Sequence, residues 1–547
     1  MNIIQDSLDR GVLISPELKE KAEKIGKDIF YKNLLNYSEK GALVLTKESF
    51  SLFETGEFPD INWKEFESSI SLFEKGRENE NYKVFLDIIN YNLSEKTKKQ
   101  VDKVLEEIKE PQNGEIEKED IESSVVVLKS YVDESKKREV QDFVMHFRVR
   151  YNKIKEILQT RQDLQNVISI SRAKNKGINE PVALIGLVSE IQTTKSGHLK
   201  IKIEDPTDTI FVLISKTNDS FVKAQDIVLD EVIGISGAIG DKIVFGKELF
   251  FPEVPFTKEL KKAEEEVYAI IAGDMHVGSI LFLEKQFMNF VNWINGEYGN
   301  AKQRKIASKV KYLFLVGDIV DGVGIYPGQE NELNIRDIRG QYSKVAELLS
   351  KIRKDIKIII SSGNHDALRI AEPQPPQPKE YAQPLYEMEN VFIVSNPAVV
   401  NIHASKDFPG FDFLIYHGYS YDFYADSVER IRLMKPNISE RIDLVMKLLL
   451  QKRHLAPTHA STLYIPNAED DPLVIEKVPD FFISGHIHRS AVISHNNVAM
   501  IAASSWQNQT PFQDKVGHVA EPGRVPIVNL KTREVSVLNF YEDEPSK

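Results

Sequence analysis

The chain contains no cysteine. Disulfides and thiolate metal sites are therefore excluded, and any bound metal must be held by oxygen and imidazole donors. Absent cysteine fits a reducing compartment. No stretch approaches the roughly eighteen consecutive apolar residues of a membrane-spanning helix, and Met1–Arg10 has no apolar segment of the secretory kind. The expectation is a soluble, cytoplasmic protein. Positive charge is also short: 70 Lys and Arg stand against 82 Asp and Glu, a net charge of −12. Stand-alone nucleic-acid binders are more often basic. Contact with DNA would then need a local positive surface, or a partner carrying most of the phosphate contacts. A Gly-rich phosphate-cradling loop of the Walker type is missing as well. The 547 residues imply more than one domain, and 41% hydrophobic residues suffice for packed cores.

Residues 1–75 read as a small helical module. Ser15 caps a helix with Pro16 at its first position, and Thr46 offers a second cap. Residues 76–139 read as a charged tether: 15 of the 26 residues from Glu95 to Asp120 are charged, too many to offset the entropy of ordering. Within it, Val125–Leu128 reads as a short strand with no local partner, one that can add to a sheet elsewhere. A connecting segment, 140–179, opens with a helix expected over Val140–Leu164, whose apolar side holds Phe143, Phe147, Tyr151 and Ile154. Arg148, Arg150 and Lys153 on that helix read as a solvated face. Five short strands follow within 180–256, with Glu204–Asp208 as a hairpin loop, which suits a Greek-key barrel of the OB type. Its few aromatics and mixed charges favour a structural or docking role over a single-strand groove. From 257 to 547 strands alternate with helices, as in an α/β domain of two or three layers. The overall expectation is a multidomain α/β chain.

The chemistry concentrates where five apolar runs stop. Leu313–Val316 runs into Gly317 and Asp318, with Asp321 three residues on. Val267–Ala272 runs into Gly273-Asp274-Met275-His276, and Ile356–Ser362 into Gly363-Asn364-His365-Asp366. Phe411–Tyr416 runs into His417-Gly418, and Phe481–Ser484 into Gly485-His486-Ile487-His488. Such runs read as buried strands, and sites in α/β sheets form beyond the carboxyl ends of strands. Five of the 12 histidines fall in these motifs, which is hard to attribute to ordinary core or surface histidines. Asp and His without Cys suit Mn²⁺, with Fe²⁺ or Zn²⁺ compatible. A two-ion site needs a short carboxylate between ions about 3.5–4 Å apart. Asp318 is assigned as that bridge. Asp274, His276 and His488 complete the first ion, and Asn364, His417 and His486 the second. The neutral Asn364 keeps the site from repelling a phosphate. His365 is left to act as general acid, or as a stabiliser of phosphate charge, with Asp366 placed to orient it. Asp321 reads as support for a loop or ligand. Arg489 either touches phosphate or lies on the surface. The chemistry implied is hydrolysis of a phosphate ester with two divalent ions.

These motifs resemble the calcineurin-like metallophosphoesterase superfamily, whose pattern is D-x-H, G-D-x-x-D, G-N-H-[DE], a later H and G-H-x-H. A barrel ahead of such a domain resembles the small subunits of replicative DNA polymerases. The eukaryotic members of that group have lost metal ligands, whereas this chain keeps them all. The chain looks most like the small subunits of archaeal family-D DNA polymerases. Gly324–Gln329, His454–Pro457 with Val478–Asp480, and Trp506–Thr510 support that likeness, which runs from about Val140 to Leu538. His459-Ala-Ser461 departs from it. The resemblance implies a proofreading 3′→5′ exonuclease acting on single-stranded DNA 3′ ends, stably joined to a large catalytic subunit. Other replisome proteins could dock through the N-terminal module. Two rivals remain open: another metallophosphoesterase (a double-strand-break nuclease or a phosphatase), and a non-catalytic scaffold.

Overall fold

A strand that is apolar at every position must be covered on both faces, and the arrangement of this chain follows from having many of them. The computed structural model describes residues 123–132, 136–435 and 437–541, together with the short pair Leu13–Ile14 and Val44–Leu45. The chain divides into two compact units, Met1–Glu115 and Ile116–Lys547. In the first, Leu13–Ile14 pairs in parallel with Val44–Leu45; the helices expected over 1–75 and the charged stretch up to Glu115 lie outside the described residues.

In the second unit, β1 (Val125–Ser130) precedes the long helix α1 (Val140–Gln159). A closed barrel of five strands follows, made of β2 (Pro181–Thr193), β3 (Leu199–Glu204), β4 (Thr209–Ile214), β5 (Val232–Ile239) and β6 (Ile243–Phe250), in the order β2-β3-β4-β6-β5. Alternate residues of β3 and β4, among them Ile201, Ile203, Ile210 and Val212, point into its core.

Two six-stranded sheets make up the rest. One contains β7 (Tyr268–Ala272), β8 (Val310–Val316), β9 (Lys357–Ser361), β10 (Val391–Ile393), β16 (Arg524–Asn529) and β17 (Val535–Asn539), ordered β10-β9-β8-β7-β16-β17. The other contains β11 (Ala398–Ile402), β12 (Phe411–Ile415), β13 (Phe481–Ser484), β14 (Ala491–His495) and β15 (Val498–Ala502), ordered β14-β15-β13-β12-β11-β1. The partner that β1 lacks locally is thus β11, to which it pairs antiparallel some 270 residues on, with Val126 opposite Asn401.

The buried strands sort their side chains by parity. Phe314 and Val316 meet Phe413, Ile415 and Phe481 in the seam between the sheets. Leu313 and Leu315 face the opposite way, onto α2 (Glu284–Ile294) and α3 (Ile338–Leu349). Leu414 and Phe482 face α4 (Tyr421–Ser427) and α5 (Ile442–Lys452). The domain therefore has four layers, helix–sheet–sheet–helix, and not the two or three expected. Fully apolar strands in two stacked sheets require an outer helical layer on each.

Helix α1 also differs from its reading. It ends at Gln159, and a single 3₁₀ turn carries the chain to Leu164. Arg150, expected on a solvated face, is only 2% exposed. Its Nε donates to Asp471 at 2.7 Å and its Nη1 to the Pro457 carbonyl at 2.6 Å. Lys153 pairs with Asp470 and Glu476. The barrel is fastened by another buried pair, Lys452 Nζ to Glu231 at 2.8 and 2.9 Å. Within such low-polarity surroundings the pair must be complete, because either charge alone would be stranded.

Phe413 stacks on Phe314 at 4.5 Å and on Phe481 at 4.4 Å. Phe413→Ala should cost about 3–5 kcal/mol, read from urea unfolding of the full chain. A loss below about 1 kcal/mol would contradict the seam as described.

Candidate metal centre

The loops leaving β7 and β8 keep pairing after the strands end. Asp274 N–H donates to the Gly317 carbonyl and His276 N–H to the Asp318 carbonyl, both at 3.0 Å. In the other sheet, Gly485 N–H donates to the His417 carbonyl at 2.9 Å. The sheets are stitched together at this end by His417 Nδ1–H, which donates to the Val316 carbonyl at 2.9 Å, and by His486 N–H, which donates to the Asp274 carboxylate at 3.0 Å. Asp274, His276, Asp318, His486 and His488 all have positive φ, from 47° to 71°. That left-handed backbone is costly for residues with a Cβ and tends to persist where function holds it. Two glycines make room: a Cβ on Gly363 or on Gly485 would overlap the carboxylate of Asp318 or of Asp274.

Three groups of side chains converge, each offering ligand atoms within 4.8 Å of one another: Asp274, His276 and His488; His276, Asp318 and His365; and Asp318, His417 and His486. The first holds the same residues as the triad read for one ion. The third, with Asn364 against His417, holds those read for the other. Asp318 belongs to the second and third groups.

The donors fit cations. His417 donates Nδ1–H to a carbonyl, so Nε2 is the atom turned to Asn364 Oδ1 at 3.1 Å and Asp318 Oδ2 at 3.2 Å. His276 directs Nδ1 to Asp321 Oδ1 at 3.1 Å, so its Nε2 faces His488 Nε2, also at 3.1 Å. Ligand atoms packed this closely in a buried place need either a shared proton or a metal ion between them. Metal–donor bonds of about 2.0–2.1 Å put neighbouring ligand atoms roughly 3 Å apart, close to this spacing. The metallophosphoesterase fold implies divalent metal ions, and these His and Asp groups could hold them.

Asp321 supports the site from behind. Besides His276, it accepts from Gln329 Nε2 at 3.1 Å and Gln507 Nε2 at 3.0 Å. Its carbonyl takes His365 Nδ1–H at 2.9 Å, and the His365 backbone N–H donates to Asp318 Oδ1 at 2.7 Å. The expectation that Asp366 orients His365 is thereby corrected. The Asp366 carboxylate accepts the N–H groups of Gly363, Asp318 and Ile319 at 2.7–3.1 Å, and Gln377 Nε2 at 2.8 Å. It ties the β8 and β9 exits together, because backbone donors stripped of water take the nearest carboxylate. Arg489 turns to Glu521 at 3.3 Å and Glu440 at 3.7 Å.

The reading from motifs did not include Asp422 on α4. It lies 3.6 Å from His486 Nε2 and 2.9 Å from His518 Nε2. Burial works against its carboxylate, but these two imidazoles hold it well below the usual carboxylate range. No strand-end glycine marks it; only its position on the first turn after His417 could have pointed to it. Gln329 and Gln507 were noticed only as parts of family-like stretches, with no role assigned.

Burial alone would depress the His417 imidazolium, yet the Asp318 and Asp274 carboxylates raise it to about 10. Burial drives His488 down to about 3, against the pull of Asp318. In the metal-free chain, the stability contributed by His417 is complete below about pH 6.5 and is lost as pH rises toward 10. His488 acts in the opposite window: its contribution is present above about pH 6.5 and is lost as pH falls toward 3. In chelator, the gap in unfolding midpoint between the wild type and His417→Gln should narrow from pH 7 to pH 10. A gap that stays constant would show that His417 holds no such proton.

The model for calcineurin-like phosphoesterases matches residues 268–490. The DNA polymerase II small subunit of Methanothermobacter thermautotrophicus is 42% identical over 392 residues, covering 72% of this chain and 78% of that protein. The one from Archaeoglobus fulgidus is 37% identical over 435 residues, covering 79% and 84%. The one from Pyrococcus horikoshii is 39% identical over 404 residues, covering 73% of this chain and 63% of that protein. Curated relatives of this similarity, together with a metallophosphoesterase domain over the strands just described, place the chain in the family of DNA polymerase II small subunits.

Proposed function

We propose that this chain is the proofreading 3′→5′ exonuclease and assembly subunit of a heteromeric replicative DNA polymerase, cutting DNA phosphodiesters with two divalent ions, Mn²⁺ first, with Fe²⁺ or Zn²⁺ compatible. The observation that carries this reading is the pair of donor groups, Asp274/His276/His488 and Asp318/His417/His486, each drawn from both sheets at the end of the buried seam. Asn364 would join the second group, and Asp318, whose Oδ2 lies 3.9 Å from His276 Nε2 and 3.2 Å from His417 Nε2, would be the carboxylate shared by both ions. In this assignment residues 180–256 form an OB-type domain with a docking role, after the 140–179 connector, and 257–547 form the nuclease. The partners are a large catalytic subunit, which carries nucleotide addition, and a single-stranded DNA 3′ end, with other replisome proteins at the N-terminal module.

When bound, the ions supply Lewis-acid activation of water and of the phosphoryl group. The chain's own side chains do the rest. Asp321 fixes the tautomer of His276 by taking its Nδ1 proton, leaving Nε2 to face the site. The Val316 carbonyl does the same for His417. His365 gives its Nδ1 proton to the Asp321 carbonyl, so Nε2 is the atom that can carry a proton to the departing 3′-oxygen. Asn364 adds a donor oxygen without negative charge, which suits an anionic substrate. Asp366 locks the loops that carry Asp318 and Asn364, so little reorganisation is needed when substrate arrives.

The complex with the large subunit, given Mn²⁺ and a 3′-labelled mismatched primer, should release mononucleotides stepwise from the 3′ end. Cleavage of phosphopeptides alone would contradict this reading. Unchanged nuclease rates in Asp318→Ala and His365→Ala would favour a non-catalytic scaffold. His365→Ala should retain both ions while slowing cleavage roughly 10²–10⁴-fold; loss of an ion would mean that His365 is a ligand.

A further inference from the structure

One group of buried amides close to the centre has no part in the proposal so far. Gln374 lies on the Pro-rich loop Pro373–Pro378 and is 2% exposed; Asn396, before β11, is fully buried. Their backbones pair, Gln374 N–H to Asn396 O at 2.7 Å and Asn396 N–H to Gln374 O at 2.9 Å. Their side chains pair as well, Asn396 Nδ2 donating to Gln374 Oε1 at 2.8 Å. Each amide then reaches one step further. Gln374 Nε2 donates to the Gly363 carbonyl at 2.9 Å. Asn396 Oδ1 accepts the backbone N–H of His417 at 2.8 Å.

Gly363 immediately precedes Asn364, at the exit of β9 in one sheet. His417 stands at the exit of β12 in the other. The relay Gly363–Gln374–Asn396–His417 therefore spans the gap between the sheets where Asn364 Oδ1 and His417 Nε2 meet at 3.1 Å. It touches none of Asp274, His276 and His488. Those are supported by Asp321, by Gln513 Nε2, 2.7 Å from His488 Nδ1, and by the pairing of the β7 and β8 exits.

We infer that Gln374 and Asn396 form a positioning clamp that sets the spacing of the Asn364/His417 side of the centre alone, and so tunes the affinity for one ion of the pair. The clamp is built from amides for a physical reason. Each amide offers a donor and an acceptor, so the chain can run unbroken from a carbonyl in one sheet to an N–H in the other. It adds no charge to a site that must accept a phosphate. Sealed from water, each link is costly to leave unmade, which makes the spacing stiff. The inference rests on the two-ion reading proposed above.

Mn²⁺ alone is the probe, titrated into the full chain, with free Mn²⁺ counted by EPR. The wild type should bind two ions. Gln374→Leu and Asn396→Leu should each weaken one of them about ten- to hundred-fold and leave the other as in the wild type. Gln374→Glu keeps the shape and the oxygen facing Asn396 but cannot donate to Gly363; it should weaken the same ion, and it serves if the leucine variants fail to fold. Asn396→Asp keeps an oxygen for the His417 N–H and should lose less than Asn396→Leu. Wild-type binding of both ions in Gln374→Glu, or equal weakening of both, would overturn the clamp while the two-ion reading stands. A wild-type chain that takes up fewer than two ions would overturn that reading and the clamp with it.

Discussion

The crowding of ligand atoms into one buried place is the constraint that the rest of the structure answers to. Asn364 and Asp318 oxygens and the Nε2 atoms of His276, His417 and His488 point at one another across about 3 Å, with almost no water in reach. Between them such groups share protons, as His417 does with Asp318, or would share a metal ion. They are held because each is also gripped from behind: His276 by Asp321, His417 by Val316, the Asp318 backbone by Asp366. The left-handed backbone at Asp274, His276, Asp318, His486 and His488 is tolerated because two stacked sheets and their outer helices over-determine the loops. Donors held so close need little rearrangement to surround a cation.

The same logic explains where the chain spends its charges. Despite an acidic balance, its best-made ion pairs are internal fasteners. Lys452–Glu231 joins barrel to metallophosphoesterase domain, Arg150–Asp471 joins α1 to the loop before β13, and Arg430 grips Asp226 of the barrel with Nε at 2.7 Å. Each sits at a junction between elements far apart in sequence. Buried pairs are weak contributors to net stability but strong guards of geometry, since half a pair is not tolerated. The barrel is thereby held in register with the helices that cover the second sheet.

The strand-end motifs were legible because their physics is local. A run such as Leu313–Val316 can only be a strand buried on both faces, and a glycine followed by Asp or His at its exit can only be a loop that exposes a donor. Periodicity likewise places helices over Phe282–Trp293, Gln341–Ile352 and Arg441–His454, within a few residues of α2, α3 and α5. Features that depend on distant pairing were not legible in this way. Val125–Leu128 showed itself as a strand, but nothing in its neighbourhood named β11 as its partner. Arg150 looked like one more charge on an amphipathic helix until Asp471 arrived to bury it. Asp366 sits one residue after His365 and was assigned to it by proximity, yet a strand exit turns adjacent side chains apart, and the carboxylate found the backbone of another loop instead.

Sequence by itself determined the inventory: no thiolate, five buried strands, and seven oxygen and imidazole groups at their ends, a set suited to hard or borderline cations. Tertiary structure alone decided which donors lie together, which carboxylate is spent on backbone N–H groups, and how the two sheets are spaced. The reason is that donor identity is a property of single residues. Distances between donors depend on the pairing of strands more than a hundred residues apart, where hydrogen bonds such as His417 to Val316 form only once both sheets exist.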